Sequence, residues 1–168
     1  FGDVTEEDVQ SNLVQATALR DAGAEMEVIE IDDGWSTNWG DWSANERFPS
    51  GMGSLAAEIT DAGFTPGLWL APFLVDRSSS AYLEHPEWWL LDRDGQEVVR
   101  DGRAVLDVTH PDARDWLAGL IRSVVEQGYP YLKLDHLFAG ALDGQRFEPM
   151  SGVQAYALGM ETIRDAAG

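Results

Sequence analysis

The chain has 168 residues, a length that suits one domain, and 44% of them are apolar, enough for a packed core. Thirty acidic against eleven basic residues give a formal net charge of −19, which repels phosphate and excludes nucleic acid and anionic membrane surfaces as partners. Cysteine is absent, so disulfides and thiolate chemistry are excluded as well.

The acidic excess is rich in Asp, and Lys133 is the only lysine. That pattern resembles proteins of salt-loving organisms, whose acidic surfaces stay soluble when salt screens the charge. The longest apolar run, GLWLAPFLV at residues 67–75, is far too short to span a bilayer. Residue 1 is Phe and an acidic segment follows, so no signal peptide is visible and the natural N-terminus is expected upstream.

In chain order, TEEDVQSNLVQATALRDAG (5–23) predicts a helix. Thr5 is its N-cap, Asp8 sits at N3, and Val9, Leu13, Ala16, Leu19 and Ala22 form the apolar stripe that Gly23 ends. MEVIEIDDGW (26–35) reads as a short strand ending in two aspartates. MGSLAAEITDAG (52–63) predicts a second helix with Leu55, Ile59 and Ala62 facing in, and FTPGLWLAPF (64–73) a second strand. EWWLLDRDGQEVVRDG (87–102) reads as a hairpin turning at Asp94–Gly95. A third helix follows in HPDARDWLAGLIRSVVEQG (110–128), with Leu117, Leu120, Ile121 and Val124 on one face. YPYLKLDHLFAG (129–140) is the third full strand, and SGVQAYALGMETIRDAAG (151–168) opens a fourth helix with a Ser151–Gln154 capping box.

Helices alternating with apolar strands imply βα units and a parallel sheet. A doubly wound sheet and a (β/α)8 barrel both fit. No Gly-rich nucleotide fingerprint follows any strand, which weakens the first. Polar residues gather at the C-terminal ends of the strands, where barrel enzymes keep their sites, yet a complete barrel takes about 250 residues. The expectation is an α/β partial (β/α)8 TIM barrel, roughly the first half. Residues 1–168 would then be a fragment of a single catalytic domain, without its first strand and its last four.

Side chains alternate faces along a strand, so Lys133 and Asp135 point one way, and Leu132 and Leu134 the other. A lysine and a carboxylate in one low-dielectric lumen would pair, and the cation would hold Asp135 ionised. A catalytic pair and a buried ion pair that only satisfies itself share this pattern. Asp32 and Asp33 could accept hydrogen bonds from ligand hydroxyls, or could cap the turn before Gly34. Trp35, Trp39 and Trp42 follow the two aspartates and Trp69 lies on the next strand. Aromatic faces beside paired carboxylates suit a sugar, whose C–H faces are apolar and whose hydroxyls donate. Trp88, Trp89 and Trp116 read as core.

IDDGW, GDWSANERFPSGM, GLWLAPF, HPEW, LDVTHPDA and YLKLDHLFAG occur in this order. Together they resemble the catalytic barrel of melibiase-type α-galactosidases, glycoside hydrolase family 36 of clan D, over nearly the whole chain. The resemblance implies a retaining α-galactosidase that works through a covalent glycosyl-aspartate intermediate on an α-galactoside oligosaccharide, with no cofactor and no metal. It implies that Asp135 is the nucleophile and that Lys133 contacts sugar hydroxyls. Asp32 and Asp33 would bind the hydroxyls at O4 and O6, Arg100 (with Arg103 nearby) would reach the sugar, and Trp69 and, less closely matched, Trp35 would line the pocket. His136 departs from the Phe or Asn often found after the nucleophile. The acid/base carboxylate is expected on a later strand, so the isolated chain is expected to be inactive or nearly so. The same resemblance suggests a cytoplasmic enzyme and a homo-oligomer of the full-length protein.

The alternatives within this chemistry are an α-N-acetylgalactosaminidase or a transglycosylase of the clan. Outside it stand a non-catalytic glycan-binding half-barrel, a Schiff-base enzyme using Lys133, and a metal-dependent barrel with Asp33 and Asp135 as oxygen ligands. Asp135 on the same face disfavours the Schiff base, because it raises the lysine pKa that such chemistry must lower.

Overall fold

A computed structural model describes residues 2–168. The molecule is mixed α/β, and its contacts divide into two compact units. The first takes the chain up to Thr37, then Ser43–Leu70 and Val124–Lys133; the second takes Asn38–Trp42, Ala71–Ser123 and Leu134–Gly168.

The first unit is built around three strands, β1 (Val28–Ile31), β2 (Thr65–Leu70) and β6 (Tyr131–Leu134), in the order β1-β2-β6. β1 and β2 are parallel, with Val28 opposite Thr65 and Ile31 opposite Leu68. Helix α1 (Glu6–Asp21) starts where its capping box places it: the Asp8 N–H donates to the Thr5 hydroxyl at 3.1 Å and the Thr5 N–H donates to the Asp8 carboxylate at 3.0 Å. Val9, Leu13 and Ala16 are buried, whereas Leu19, expected in the same stripe, is 54% exposed. Helix α2 (Met52–Asp61) buries Met52, Leu55, Ala56 and Ile59. Each fully buried aliphatic side chain of this kind contributes roughly 1.5–3 kcal/mol.

Polar groups tie these elements together. The Arg20 guanidinium donates to the carbonyls of Ala62 and Gly63 at 2.9 and 3.1 Å, satisfying acceptors that the end of α2 leaves without helical partners. The buried Tyr129 hydroxyl donates to the Met52 carbonyl at 2.8 Å, and burial pushes its pKa upward. Gly67 has no room for a side chain: a Cβ there would meet Tyr131 Cδ1 at 2.9 Å and Glu30 Cβ at 3.1 Å. Its neighbours on β1 and β6 therefore close over the middle of β2.

The second unit holds an antiparallel sheet in the order β3-β5-β4, from β3 (Leu74–Val75), β4 (Val99–Arg100) and β5 (Arg103–Val105). It also holds α3 (Ser80–Glu84), most of α4 (Pro111–Glu126), a 3-10 helix (Leu137–Ala141) and α5 (Gly152–Ala167). The turn expected at Asp94–Gly95 exists, closed by the Gly95 N–H on the Asp92 carbonyl at 3.1 Å. A tighter hairpin, β4–β5, follows at Asp101–Gly102, where φ is 50° and 80°. Positive φ at both central positions is the signature of the turn whose twist matches paired strands. The expected strand 129–140 is shorter than predicted, because His136 adopts φ 52° and ψ 27° and leads into the 3-10 helix. The capping box opening α5 is present. Among the described residues no helix is long and apolar enough to cross a membrane.

A buried ion pair organises the segment before α5. Arg146 and Asp107 meet at 3.3 Å with side chains only 1% and 3% exposed. Asp107 also accepts from the Thr109 N–H and hydroxyl and from the Phe147 N–H, while Arg146 donates to the Leu142 and Gly140 carbonyls. Removing one partner of such a pair leaves a buried charge uncompensated. Arg146→Met in the complete protein is therefore expected to cost about 3–5 kcal/mol in urea unfolding. The exposed Arg164 serves as the control, and Arg164→Ala is expected to change stability by less than about 0.5 kcal/mol.

Candidate active site

Of the residues singled out by sequence, Asp32, Asp33, Trp35, Trp69 and Lys133 lie in the first unit, and Arg100 and Asp135 in the second.

In the first unit, β1 ends at Ile31 and the chain turns through Asp32, Asp33 and Gly34. Lys133 Nζ, on β6, donates to Asp32 Oδ2 at 2.6 Å. The register puts Ile31 opposite Leu68, so Asp32 stands level with Trp69 and the ammonium reaches it across β2. Within this unit the ammonium bonds Asp32, a partner that alternation along β6 does not name. Asp32 Oδ1 accepts the Asp33 N–H at 2.8 Å. The Asp32 carboxylate is thus held by one ammonium and one backbone donor.

Burial opposes ionisation of Asp32, but the Lys133 hydrogen bond, the Asp33 N–H and the Lys133 charge outweigh it and hold the carboxyl below its ordinary range. One position further down the same face, Glu30 is pushed upward, first by burial and then by the Asp32 charge, with Lys133 opposing. Lys133 and Asp32 side chains are 43% and 29% exposed. A pair so open to water contributes no more than about 1 kcal/mol to stability, so its consequence is orientation and charge state.

Trp35 and Trp69 are 1% and 2% exposed, and the Trp35 indole N–H donates to the Trp69 carbonyl at 2.9 Å. Both are core side chains rather than exposed faces. Two residues that sequence reasoning passed over brace the turn. Asn45 donates to the Gly34 and Ser36 carbonyls at 2.7 and 3.1 Å, and Arg47 donates to the Gly34 carbonyl at 2.8 Å. Both lie inside the quoted GDWSANERFPSGM run, whose polar residues were the available signal.

In the second unit, Asp135 is exposed and its Oδ1 accepts the His136 N–H at 2.7 Å. His136 sits in the left-handed region, which costs a non-glycine residue about 1–3 kcal/mol. Its ring lies 5.2 Å from Trp39 and 6.1 Å from Phe138, centroid to centroid. Trp39 is gripped in turn by Asp76, which accepts the Trp39 N–H at 2.9 Å, and by the Arg103 guanidinium, 3.5 Å from the ring centroid. Arg103 is ion-paired to Asp76 at 2.9 Å. Arg100 is exposed, with its guanidinium 5.4 Å from the Phe138 ring. Among the described residues no three His, Asp or Glu side chains converge as a metal site.

A melibiase family model matches residues 3–165. The chain belongs to the melibiase family. It is similar to α-galactosidase AgaA of Geobacillus stearothermophilus, at 28% identity over 83% of this chain and 21% of that protein. It is also similar to an A type blood α-D-galactosamine galactosaminidase of Flavonifractor plautii, at 44% identity over 46% of this chain and 7% of that protein. The structure of the Thermus thermophilus α-galactosidase TtGalA in complex with stachyose superposes with a TM-score of 0.86 at 38% identity, over 99% of this chain and 36% of that one. The chain thus spans about a fifth of AgaA and about a third of TtGalA.

The ion pair makes a prediction by itself. Lys133→Met removes the largest of the effects that lower the Asp32 pKa and leaves burial and the Asp33 N–H, so the carboxyl titration, followed by NMR on protein labelled in its aspartate carboxyls, is expected to move to higher pH. A lowered folded-state pKa gives stability that is present above the unfolded value, about 3.9, and lost as pH falls through the folded value. The mutant is expected to lose that small increment. An unmoved titration would show that Lys133 does not set the charge of Asp32.

Proposed function

We propose that residues 1–168 form the first half of a (β/α)8 catalytic domain and that the complete protein is a retaining α-galactosidase. The observation that carries this reading is the Lys133–Asp32 pair at 2.6 Å, in a chain aligned over 99% of its length with TtGalA, whose structures hold stachyose and p-nitrophenyl α-D-galactopyranoside.

In this reading the galactosyl hydroxyls at O4 and O6 donate to Asp32 and Asp33. Asp32 is suited to accept because Lys133 keeps it ionised. Lys133 and Arg100 bind further sugar oxygens. Trp69 and Trp35 form the wall behind the carboxylates. Asp135 attacks C1: a C1–O bond to the aspartate forms, the glycosidic C1–O bond breaks, and its electron pair leaves with the aglycone oxygen. A second carboxyl group, supplied by the rest of the protein, protonates that oxygen. The same group then deprotonates a water, which displaces Asp135 from C1 and restores both carboxyls. Two inversions retain the α configuration. The oxocarbenium-like transition state is cationic, so carboxylates around it lower its energy.

Asp135→Asn in the complete protein is expected to reduce kcat on an aryl α-galactoside on the order of 10^3-fold or more, as loss of a nucleophile does. Near-normal turnover would remove Asp135 from the mechanism. The 44% identity to the Flavonifractor plautii galactosaminidase favours one second reading, hydrolysis of terminal α-galactosamine or its N-acetyl form. Comparing kcat/KM on aryl α-galactoside and aryl α-galactosaminide separates the two.

A net charge of −19 with one lysine also supports a salt-adapted protein. Self-repulsion weakens as salt screens it, so the thermal midpoint is expected to rise with added KCl. A midpoint that is flat or falls would contradict salt adaptation.

A further inference from the structure

We propose that His136 is a positioning residue for Asp135, acting through a stack formed with Trp39 and Arg103. The inference rests on the reading of Asp135 as nucleophile, and all the groups it uses lie in the second unit.

Three observations meet at His136. Its N–H holds Asp135 Oδ1 at 2.7 Å, so the rotamer of the carboxylate follows the backbone of the next residue. That backbone is left-handed, φ 52° and ψ 27°, a conformation that β-branched side chains rarely take and that His tolerates better than most. Its carbonyl accepts the Ala139 N–H at 3.0 Å and so begins the 3-10 helix. A strained residue persists only where its surroundings over-determine it. Here they do so from the ring side, because the imidazole packs on the Trp39 indole at 5.2 Å with a 52° tilt.

Trp39 is a fixed platform. It is 7% exposed. Its N–H donates to Asp76 Oδ2 at 2.9 Å and its carbonyl accepts the Asp76 N–H at 2.7 Å. The other oxygen of Asp76 pairs with Arg103 Nε at 2.9 Å, and the Arg103 guanidinium covers the indole at 3.5 Å. One carboxylate therefore sets both the platform and the cation stacked on it. The contacts of Asp76, Arg103, Trp39 and His136 lead to Asp135 through the His136 N–H. The arrangement holds Oδ1 on that N–H and so fixes how the carboxylate faces C1. It also accounts for a histidine at this position: the stack needs a ring, and the turn needs a residue that accepts positive φ.

Substitution separates the two requirements. His136→Gly and His136→Asn keep the left-handed backbone and remove the ring; His136→Phe keeps a ring. In the complete enzyme on an activated aryl α-galactoside, Gly and Asn are expected to lower kcat about 10- to 100-fold, the cost of a misplaced reacting group. KM should change by less than about threefold, since a contact made with ground-state substrate is not what was lost. Phe keeps the ring but tolerates positive φ less well, so it is expected to lose less kcat than Gly and Asn do, with KM within about threefold of the natural enzyme. Labelling of Asp135 by a slow fluorinated galactosyl donor should slow in parallel with kcat. Trp39→Leu combined with His136→Asn should cost no more than either alone, because both break one stack. The proposal is overturned if Gly and Asn retain full kcat and labelling rate, if Phe loses as much as they do, or if the two losses add. A label that forms on a side chain other than Asp135 overturns the reading of the nucleophile instead, whatever the His136 variants do.

Discussion

Most of what the first unit offers to chemistry depends on a cation reaching over a strand. Strands lie about 4.8 Å apart, and β2 stands between β1 and β6. A carboxylate at the end of β1 and a side chain on β6 are therefore separated by roughly twice that spacing, about 10 Å. A long side chain can close the gap on a short one, and Lys133 closes it on Asp32 at 2.6 Å. The contact lies above β2, level with Trp69, while one step below the missing side chain of Gly67 lets Glu30 and Tyr131 pack over the strand. The solitary lysine is thus placed where a point charge fixes the ionisation of an acidic turn.

The second unit uses charge in another way. Asp107 and Arg146 are almost wholly buried, and each makes further hydrogen bonds to backbone, so this pair defines where the chain before α5 runs. Asp76 and Arg103, each 26% exposed, hold Trp39. Three ion pairs in one chain therefore divide by burial. The deepest specifies structure, the half-buried one clamps an aromatic platform, and the most exposed of the three, Lys133–Asp32, sets the charge of an acidic turn.

The helices and strands near the candidate site were legible in the sequence where local physics decides them. The capping boxes at Thr5 and Ser151 and the apolar faces of α2 and α4 needed only spacing. Lys133 and Asp32 were legible as chemistry by composition and position, but their pairing was not, because alternation along one strand predicts a neighbour at Asp135 and says nothing of which strand lies across the sheet. The β4–β5 hairpin was missed because Asp94–Gly95 offered the same turn signal as Asp101–Gly102 a few residues earlier. The bracing by Asn45 and Arg47, and the stack of Arg103, Trp39 and His136, join residues from 9 to 97 positions apart, as in Asn45 to Ser36 and Trp39 to His136. No periodicity encodes such contacts. The left-handed backbone at His136 was hidden for the same reason: an apolar run reads as strand until tertiary packing bends it.

The most direct test of the central claim is a crystal structure of the complete protein with galactose bound. The account predicts Asp32 and Asp33 oxygens within hydrogen-bonding distance of O4 and O6, Lys133 bonding a sugar oxygen without leaving Asp32, and Asp135 facing C1. A galactose held by other residues, with the Lys133–Asp32 pair untouched by the sugar, would contradict it.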